Sequence, residues 1–293
     1  METNKLLTAQ AIMKGFTMLP TIPAAAAKAI KLLNEDDVDL DAVADIMLSD
    51  QVLAARVIRI VNSPLYKVID EINSARQALL YLGAQRIFEI ILTSCFLEVT
   101  DVSKRSPLKI KHCWEHAFGV GLVARRLAES INYPQPENVY VAGILHDVGE
   151  VILSQHRRQE YTRAIVLAQS EQLDIYHAEM RVFGTSHADI GYLLGKQWNF
   201  PAEFLEAVFM HHDENLKDMP KLTLLVALAD CFCNSVGINC LGIRYKDEAD
   251  ETKAVRLIQE HLPSLDTSDF ESLMISMENL TFEVRCAVEV IYS

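Results

Sequence analysis

The feature that most narrows what this chain can become is the spacing of its apolar residues. Ala26, Ala27, Ile30 and Leu33 recur at three- and four-residue steps, as do Leu40, Val43, Ile46 and Met47 after Asp39, and Leu53, Val57, Ile58 and Val61 after Ser49 or Asp50. That period lines one face of a helix, whereas a half-buried strand needs a period of two, and no convincing alternation of that kind occurs in the first half of the chain. The expected fold is all-α. Residues 1 to about 20 read as a polar lead. Leu19-Pro20-Thr21-Ile22-Pro23 breaks any early helix, and Pro23 suits the first turn of the next one. Asn34-Glu35-Asp36-Asp37 and Asn62-Ser63-Pro64 read as turns, the latter structural because Asn and Ser before Pro are ordinary turn formers. Ser74 to Val99 reads as two helices broken at Gly83.

Asp101 to Pro107, polar and closed by a proline, marks a boundary between subdomains. Beyond it, Lys109 to Asn132 is helical by period and sets His112 and His116 four apart on one face. Pro134 and Pro136 stop that helix and open another over Val139 to Asp147. Further helices are expected over Gln155 to Gln172 and over Ser186 to Trp198. Ser186 and Asp189 form a capping box there, and His187 falls in the first turn. A short helix runs from Asn199-Phe200-Pro201 to His211-His212, and an apolar helix from Leu222 to Val236 is interrupted by one carboxylate, Asp230. Residues 246–293 hold two or three more helical patterns with no assigned chemistry.

The charge balance excludes some functions. With 27 basic and 40 acidic residues the net charge is −13, which disfavours direct nucleic-acid binding, since that depends on neutralising phosphates with Lys and Arg. No apolar run reaches the ~18 residues of a membrane span. Met1 to Leu19 also lacks the basic start, apolar core and cleavage site of a signal peptide. A cytoplasmic protein without membrane contact is the expectation. The six cysteines show no disulfide spacing and are expected as reduced thiols; Cys231 and Cys233, one residue apart, read as buried side chains. Trp114 and Trp198 read as core packing rather than as stacking platforms.

Within this helical frame one stretch carries chemistry: Ala142-Gly143-Ile144-Leu145-His146-Asp147-Val148-Gly149-Glu150. An imidazole and a carboxylate stand side by side at the end of an apolar segment, where an unpaired charge is costly. Neighbours on a helix point about 100° apart, so the pair converges only if an ion lies between them or the helix stops, and Gly149 suggests that it stops. Other polar residues at helix ends or in apolar surroundings are His116, His187, His211, His212 and Asp230. Together they make five imidazoles and two carboxylates. Such a donor set suits one or two divalent transition metals, namely iron, manganese, zinc or cobalt, and Asp147 is placed to bridge two.

The order H, HD, H, HH, D resembles the HD superfamily of metal-dependent phosphohydrolases, and within it the HDOD proteins. The resemblance rests on Leu19-Pro20-Thr21-Ile22-Pro23, Asp50-Gln51-Val52-Leu53, Val61-Asn62-Ser63-Pro64-Leu65-Tyr66 and Tyr81-Leu82-Gly83 in the first half. In the second half it rests on Trp114-Glu115-His116, Leu145-His146-Asp147-Val148-Gly149, Phe183-Gly184-Thr185-Ser186-His187, Gln197-Trp198-Asn199-Phe200-Pro201 and His211-His212. It implies an N-terminal helical bundle (1–105) packed on an HD-like bundle (106–240), with extra C-terminal helices (241–293). It also implies that His116, His146, Asp147 and Asp230 hold a primary metal, and that the protein serves bacterial signalling or regulation through signalling-protein partners. Its oligomeric state stays open.

Two departures from active relatives bear on activity. The related HD-GYP phosphodiesterases, which cleave cyclic di-GMP, carry a lysine where Glu150 stands and a GYP segment after the HH pair, which is absent here. A carboxylate facing an anionic substrate at about 4 Å costs on the order of 4 kcal/mol at an effective dielectric of about 20, so cyclic di-GMP cleavage is not expected. Trinuclear members have a Glu where His112 stands, so a third ion is not expected either. Three functions fit: a signalling scaffold that keeps a metal site; a metal-dependent phosphohydrolase on a nucleotide or phosphodiester, with His146 and Asp147 at its catalytic centre; and an iron-based redox or oxygen sensor.

Overall fold

In a computed structural model, the described residues are 2–16, 21–33, 37–63, 66, 71–101, 106–242, 248–264 and 267–292. Among them there are helices and turns and no strand. Leu19-Pro20, the turn at 34–36, Pro64-Leu65 and most of the boundary segment (102–105) lie outside the described residues.

The first half is built from α1 (Glu2–Lys14), α2 (Ala24–Leu33), α3 (Leu40–Leu48), α4 (Gln51–Val61) and α5 (Ala75–Asp101). Local chemistry sets the starts of α3 and α4. Asp39 caps α3 by accepting from the Ala42 amide at 3.0 Å, and Asp50 caps α4 by accepting from Val52 and Leu53, each at 3.0 Å. Asn62 closes α4: its amide donates to Ile58 O at 3.0 Å and to Ile72 O at 2.7 Å, while its oxygen accepts from Ile72 N at 2.9 Å. This turn residue thereby ties α4 to the segment that leads into α5. The expected break at Gly83 is present, with φ 78 and ψ 172 inside α5. Over Ala75–Thr100, α5 is long and apolar enough to cross a membrane, yet 61% of that apolar window is buried in the protein, where α2, α3 and α4 pack on it.

The N-terminal stretch corrects the expectation of a polar lead. Residues Glu2–Lys14 form a helix, with Ala9 and Met13 buried. It packs against α11 (His187–Gln197) in the second half of the chain.

The second half opens with α6 (Ile110–Ser130) and α7 (Pro136–Leu145). Their backbones touch where two glycines meet: a Cβ on Gly143 would lie 2.7 Å from the Gly121 Cα, so any larger residue would force the pair apart. The chain continues through α8 (Val148–His156), α9 (Arg158–Glu171), α10 (Ile175–Phe183), α11, α12 (Ala202–Met210) and α13 (Lys221–Ser235). The expected helix over Gln155 to Gln172 is thus two, parted at Arg157, whose backbone leaves the helical region (φ −127, ψ 47). Finally, α14 (Glu248–His261) packs on α13, and α15 (Thr267–Tyr292) packs on α6. Helices α5 and α7 lie against each other, and most buried apolar residues of both halves join in one continuous cluster, with Ala164, Ala168 and Ala178 in a small separate one between α9 and α10. Trp114 belongs to that core and donates its indole N–H to Thr100 Oγ1 at 2.7 Å, while Trp198 packs on Phe200.

Candidate metal centre

The His146-Asp147 pair sits between two helices. Helix α7 ends at Leu145, His146 is its C-cap, and Asp147 is the N-cap of α8 with φ −102 and ψ 14. The break turns both side chains inward, so that His146 Nε2 lies 3.2 Å from Asp147 Oδ2. The expected stop is real, but Gly149 does not make it. Gly149 lies in the first turn of α8, where a Cβ would come 2.0 Å from His187 O and 2.6 Å from Gly191 N. The glycine allows α8 to touch the start of α11, and that contact places Asp147 beside His187.

The other six singled-out side chains come together around Asp147. On its Oδ2 side stand His116, with Nε2 at 3.1 Å, and His146. Asp230 closes that side, its Oδ1 3.2 Å from His116 Nε2 and 3.7 Å from His146 Nε2. On the Oδ1 side stand His187 at 3.2 Å and His211 at 3.3 Å, with His212 Nε2 at 3.0 Å from His187 Nε2. Each contributor comes from an element end or an apolar face: α6 for His116, the first residue of α11 for His187, the end of α12 for His211, and α13 for Asp230.

The rings are oriented from behind. His116 Nδ1 donates to Ile238 O at 2.8 Å, His146 Nδ1 to Gly143 O at 2.6 Å, and His211 Nδ1 to Val208 O at 2.9 Å. His187 Nδ1 donates to Glu179 Oε2 at 2.7 Å. With Nδ1 spent as a donor, each ring turns Nε2 toward Asp147, which is the tautomer a metal ligand requires. His146 Nε2 and Asp147 Oδ1 are buried with no hydrogen-bond partner among the described residues. His187 Nε2 lies 3.3 Å from His211 Nε2 and 3.0 Å from His212 Nε2, too close for all three nitrogens to carry protons. These features fit a divalent cation bound by nitrogen and oxygen donors.

The electrostatics agree. Burial alone would depress His146, but Asp147 and Asp230 outweigh it and lift the ring to about 9. His116 rises in the same way, against burial, through hydrogen bonds to Asp147 and Asp230. Burial would raise Asp147 and Asp230; the surrounding imidazoles hold both well below the carboxylate range. Burial lowers His211 and His212. The two carboxylates thus draw positive charge to this place, as protons on the rings or as a metal ion.

Six of the seven side chains, all but the fully buried His146, line a cavity of about 620 Å³. Glu150 is also on its wall, 1% exposed, accepting from the Tyr161 hydroxyl at 2.8 Å. Burial and the charge of Asp147 push Glu150 up to about 7. Asp174, Asp213 and Glu214 also line the cavity, and Lys253 is the one lysine or arginine among its described lining residues. Two contributors escape the sequence reading. Cys240, buried at 4%, brings its sulfur close to Asp147 and Glu150. Glu179, fully buried on α10, holds His187. Its signal is weak: Asp174 caps a nine-residue helix closed by Gly184, in which Ala178 and Glu179 are the buried residues, and so short a helix fixes no buried face from its sequence.

Comparison with known proteins places this arrangement. The solved structure of an HDOD domain protein of unknown function from Geobacter sulfurreducens superposes with a TM-score of 0.84, is 32% identical, and covers 99% of each chain. A Shewanella amazonensis SB2B protein, provisionally named a phosphohydrolase, shares the fold at a TM-score of 0.77 and 21% identity over 98% of each chain. An uncharacterised protein of Treponema pallidum (strain Nichols) is 22% identical over 224 residues, 75% of this chain but 42% of that protein, so the chain spans less than half the length of this curated relative. The HDOD domain model matches residues 19–214. The chain belongs to the HDOD domain family.

Proposed function

We propose that the chain is a regulatory HDOD module whose HD-like half holds one or two divalent transition-metal ions and whose output passes through signalling-protein partners. One ion would be held by His116, His146, Asp230 and Asp147 Oδ2, and a second by His187, His211, His212 and Asp147 Oδ1. The observation that carries the regulatory reading is Glu150. At the place where the HD-GYP enzymes keep a phosphate-binding lysine, a buried carboxylate is fixed by Tyr161 in the cavity wall. Apart from the ions themselves, an anionic phosphoester entering there meets Glu150, Asp174, Asp213 and Glu214 against one lysine, Lys253, among the described lining residues.

A second reading, a metal-dependent phosphohydrolase, is favoured by a different observation: the donor set, apart from the fully buried His146, opens onto a cavity of about 620 Å³, large enough for a small substrate. Bound ions would supply Lewis acidity and stabilise charge on phosphoryl oxygens. The discriminating experiment begins with metal analysis of protein purified without chelator, alongside His146→Ala and Asp147→Ala. Cyclic dinucleotides, nucleotides and generic phosphodiesters are then screened with iron, manganese, zinc and cobalt. Stoichiometric metal in the wild type, lost in both variants, with no turnover under any metal supports the regulatory reading. Turnover that vanishes in Asp147→Ala overturns it in favour of the enzyme, and absence of metal from the wild type overturns the metal centre itself.

A further inference from the structure

The two sides of Asp147 are supported differently. Behind His116, His146 and His211 stand backbone carbonyls, those of Ile238, Gly143 and Val208. Behind His187 stands a full carboxylate. Glu179 Oε2 accepts both the backbone N–H of His187 and its Nδ1–H, each at 2.7 Å. His187 is the first residue of α11, so the carboxylate also satisfies an amide at a helix N-terminus, where negative charge is favoured. Both of its recorded hydrogen bonds go to His187, and its other oxygen, Oε1, is buried with no hydrogen-bond partner among the described residues. The side chain is 0% exposed and belongs to α10, which also lays the Tyr176 ring on His212 at 4.6 Å between centroids.

We propose that Glu179 is a positioning residue for the ion on the Oδ1 side of Asp147, and that its charge sets the affinity of that position while leaving the Oδ2 position untouched. A carboxylate behind an imidazole fixes its tautomer, fixes its plane and raises the basicity of the ligating nitrogen more than a neutral carbonyl does; removing such a partner costs roughly 10–100-fold in metal affinity. The Oδ2 side has no hydrogen bond to Glu179 and is joined to the Oδ1 side only through the shared Asp147 carboxylate, so the loss should fall on the Oδ1 position. The proposal rests on the metal-centre reading above.

The test uses the full chain, stripped of metal and titrated with cobalt(II). Visible absorbance and calorimetry report the two positions, and thermal melting of the metal-free protein reports the fold. Glu179→Gln keeps the size and an acceptor for the His187 amide but removes the charge. Glu179→Asp keeps the charge at shorter reach, and decides the matter if the glutamine variant does not fold. The wild type is expected to take two ions. Glu179→Gln is expected to take the first with unchanged affinity and the second roughly 10–100-fold more weakly, with the metal-free melting temperature within a few degrees of wild type; Glu179→Asp is expected to fall between them. Two ions at wild-type affinity in Glu179→Gln overturns the proposal, as does equal weakening of both positions with a lowered metal-free melting temperature. A wild type that takes no cobalt fails at the earlier step, the metal centre, and is recognisable as such before any variant is compared.

Discussion

Gly149→Ala tests whether the contact between α8 and α11 sets the geometry of the centre. The added Cβ would lie 2.0 Å from His187 O and 2.6 Å from Gly191 N. Both are backbone atoms, so no rotamer change relieves the clash, and the helices must part by about 1 Å or more. Overpacking of this kind costs about 1–3 kcal/mol, and an unyielding backbone contact belongs at the upper end. In a chain of this size each kcal/mol shifts the melting temperature by about 2 °C or somewhat more, so a fall of about 5–8 °C is expected. The same displacement widens the 3.2 Å approach of His187 Nε2 to Asp147 Oδ1. Metal sites tolerate errors of about 0.2 Å in ligand distance, so the Oδ1 position should empty. A matched control is Gly83→Ala. Unlike the helical Gly149, Gly83 has a backbone suited to glycine (φ 78, ψ 172), and a Cβ there meets nothing within 4 Å. It should cost about 1–3 kcal/mol through backbone strain alone and leave metal binding intact. Melting curves and metal analysis of both variants check this. A Gly149→Ala protein that melts with the wild type and keeps its full metal content would refute the reasoning.

Three further outcomes are expected. Burial pushes Glu89 up from 4.5 to about 8, and the Arg86 guanidinium, at 3.4 Å, does not reverse this; the folded chain therefore keeps a proton that the unfolded chain releases. Stability should fall as pH rises from about 4.5 to about 8, by on the order of 4–5 kcal/mol. Chemical denaturation of Glu89→Gln should show that slope reduced relative to wild type, and equal slopes would refute the assignment. Metal uptake should release protons, because His146 sits at about 9 and His116 well above its ordinary value before an ion arrives. Affinity should therefore rise with pH up to about 9, as calorimetry in buffers of different ionisation enthalpy would show, and uptake without proton release contradicts this. Asn62→Ala removes three hydrogen bonds at the end of α4 and should cost about 2–3 kcal/mol; a loss below about 0.5 kcal/mol by denaturant titration would show the turn holding without them.

What could be read in the sequence follows from how each residue exerts its effect. Asp39 and Asp50 act on amides two or three residues ahead, so a local pattern was enough to start α3 and α4. Asp147 and the six residues around it stood out because an imidazole or carboxylate among apolar neighbours is conspicuous wherever it occurs. Gly149 was misread for the opposite reason. A glycine that ends a helix and a glycine that lets another backbone come close look the same in one dimension, and the backbone that decides the matter, at His187 and Gly191, is about forty residues away. Helix α1 was missed because it buries little of its own, chiefly Ala9 and Met13; its reason for being helical is α11, which lies far along the chain. Glu179 combines both difficulties. Its role depends on His187, on another helix, and it sits on a helix of nine residues that carries too short a period to be read with assurance. Ligands announce themselves by chemical type, whereas the residues that aim them announce themselves only by position. A family of chains that kept the seven candidate ligands while varying Glu179 and Gly149 would therefore keep the motif and lose the geometry, and metal content rather than motif matching would be the measure of a working centre.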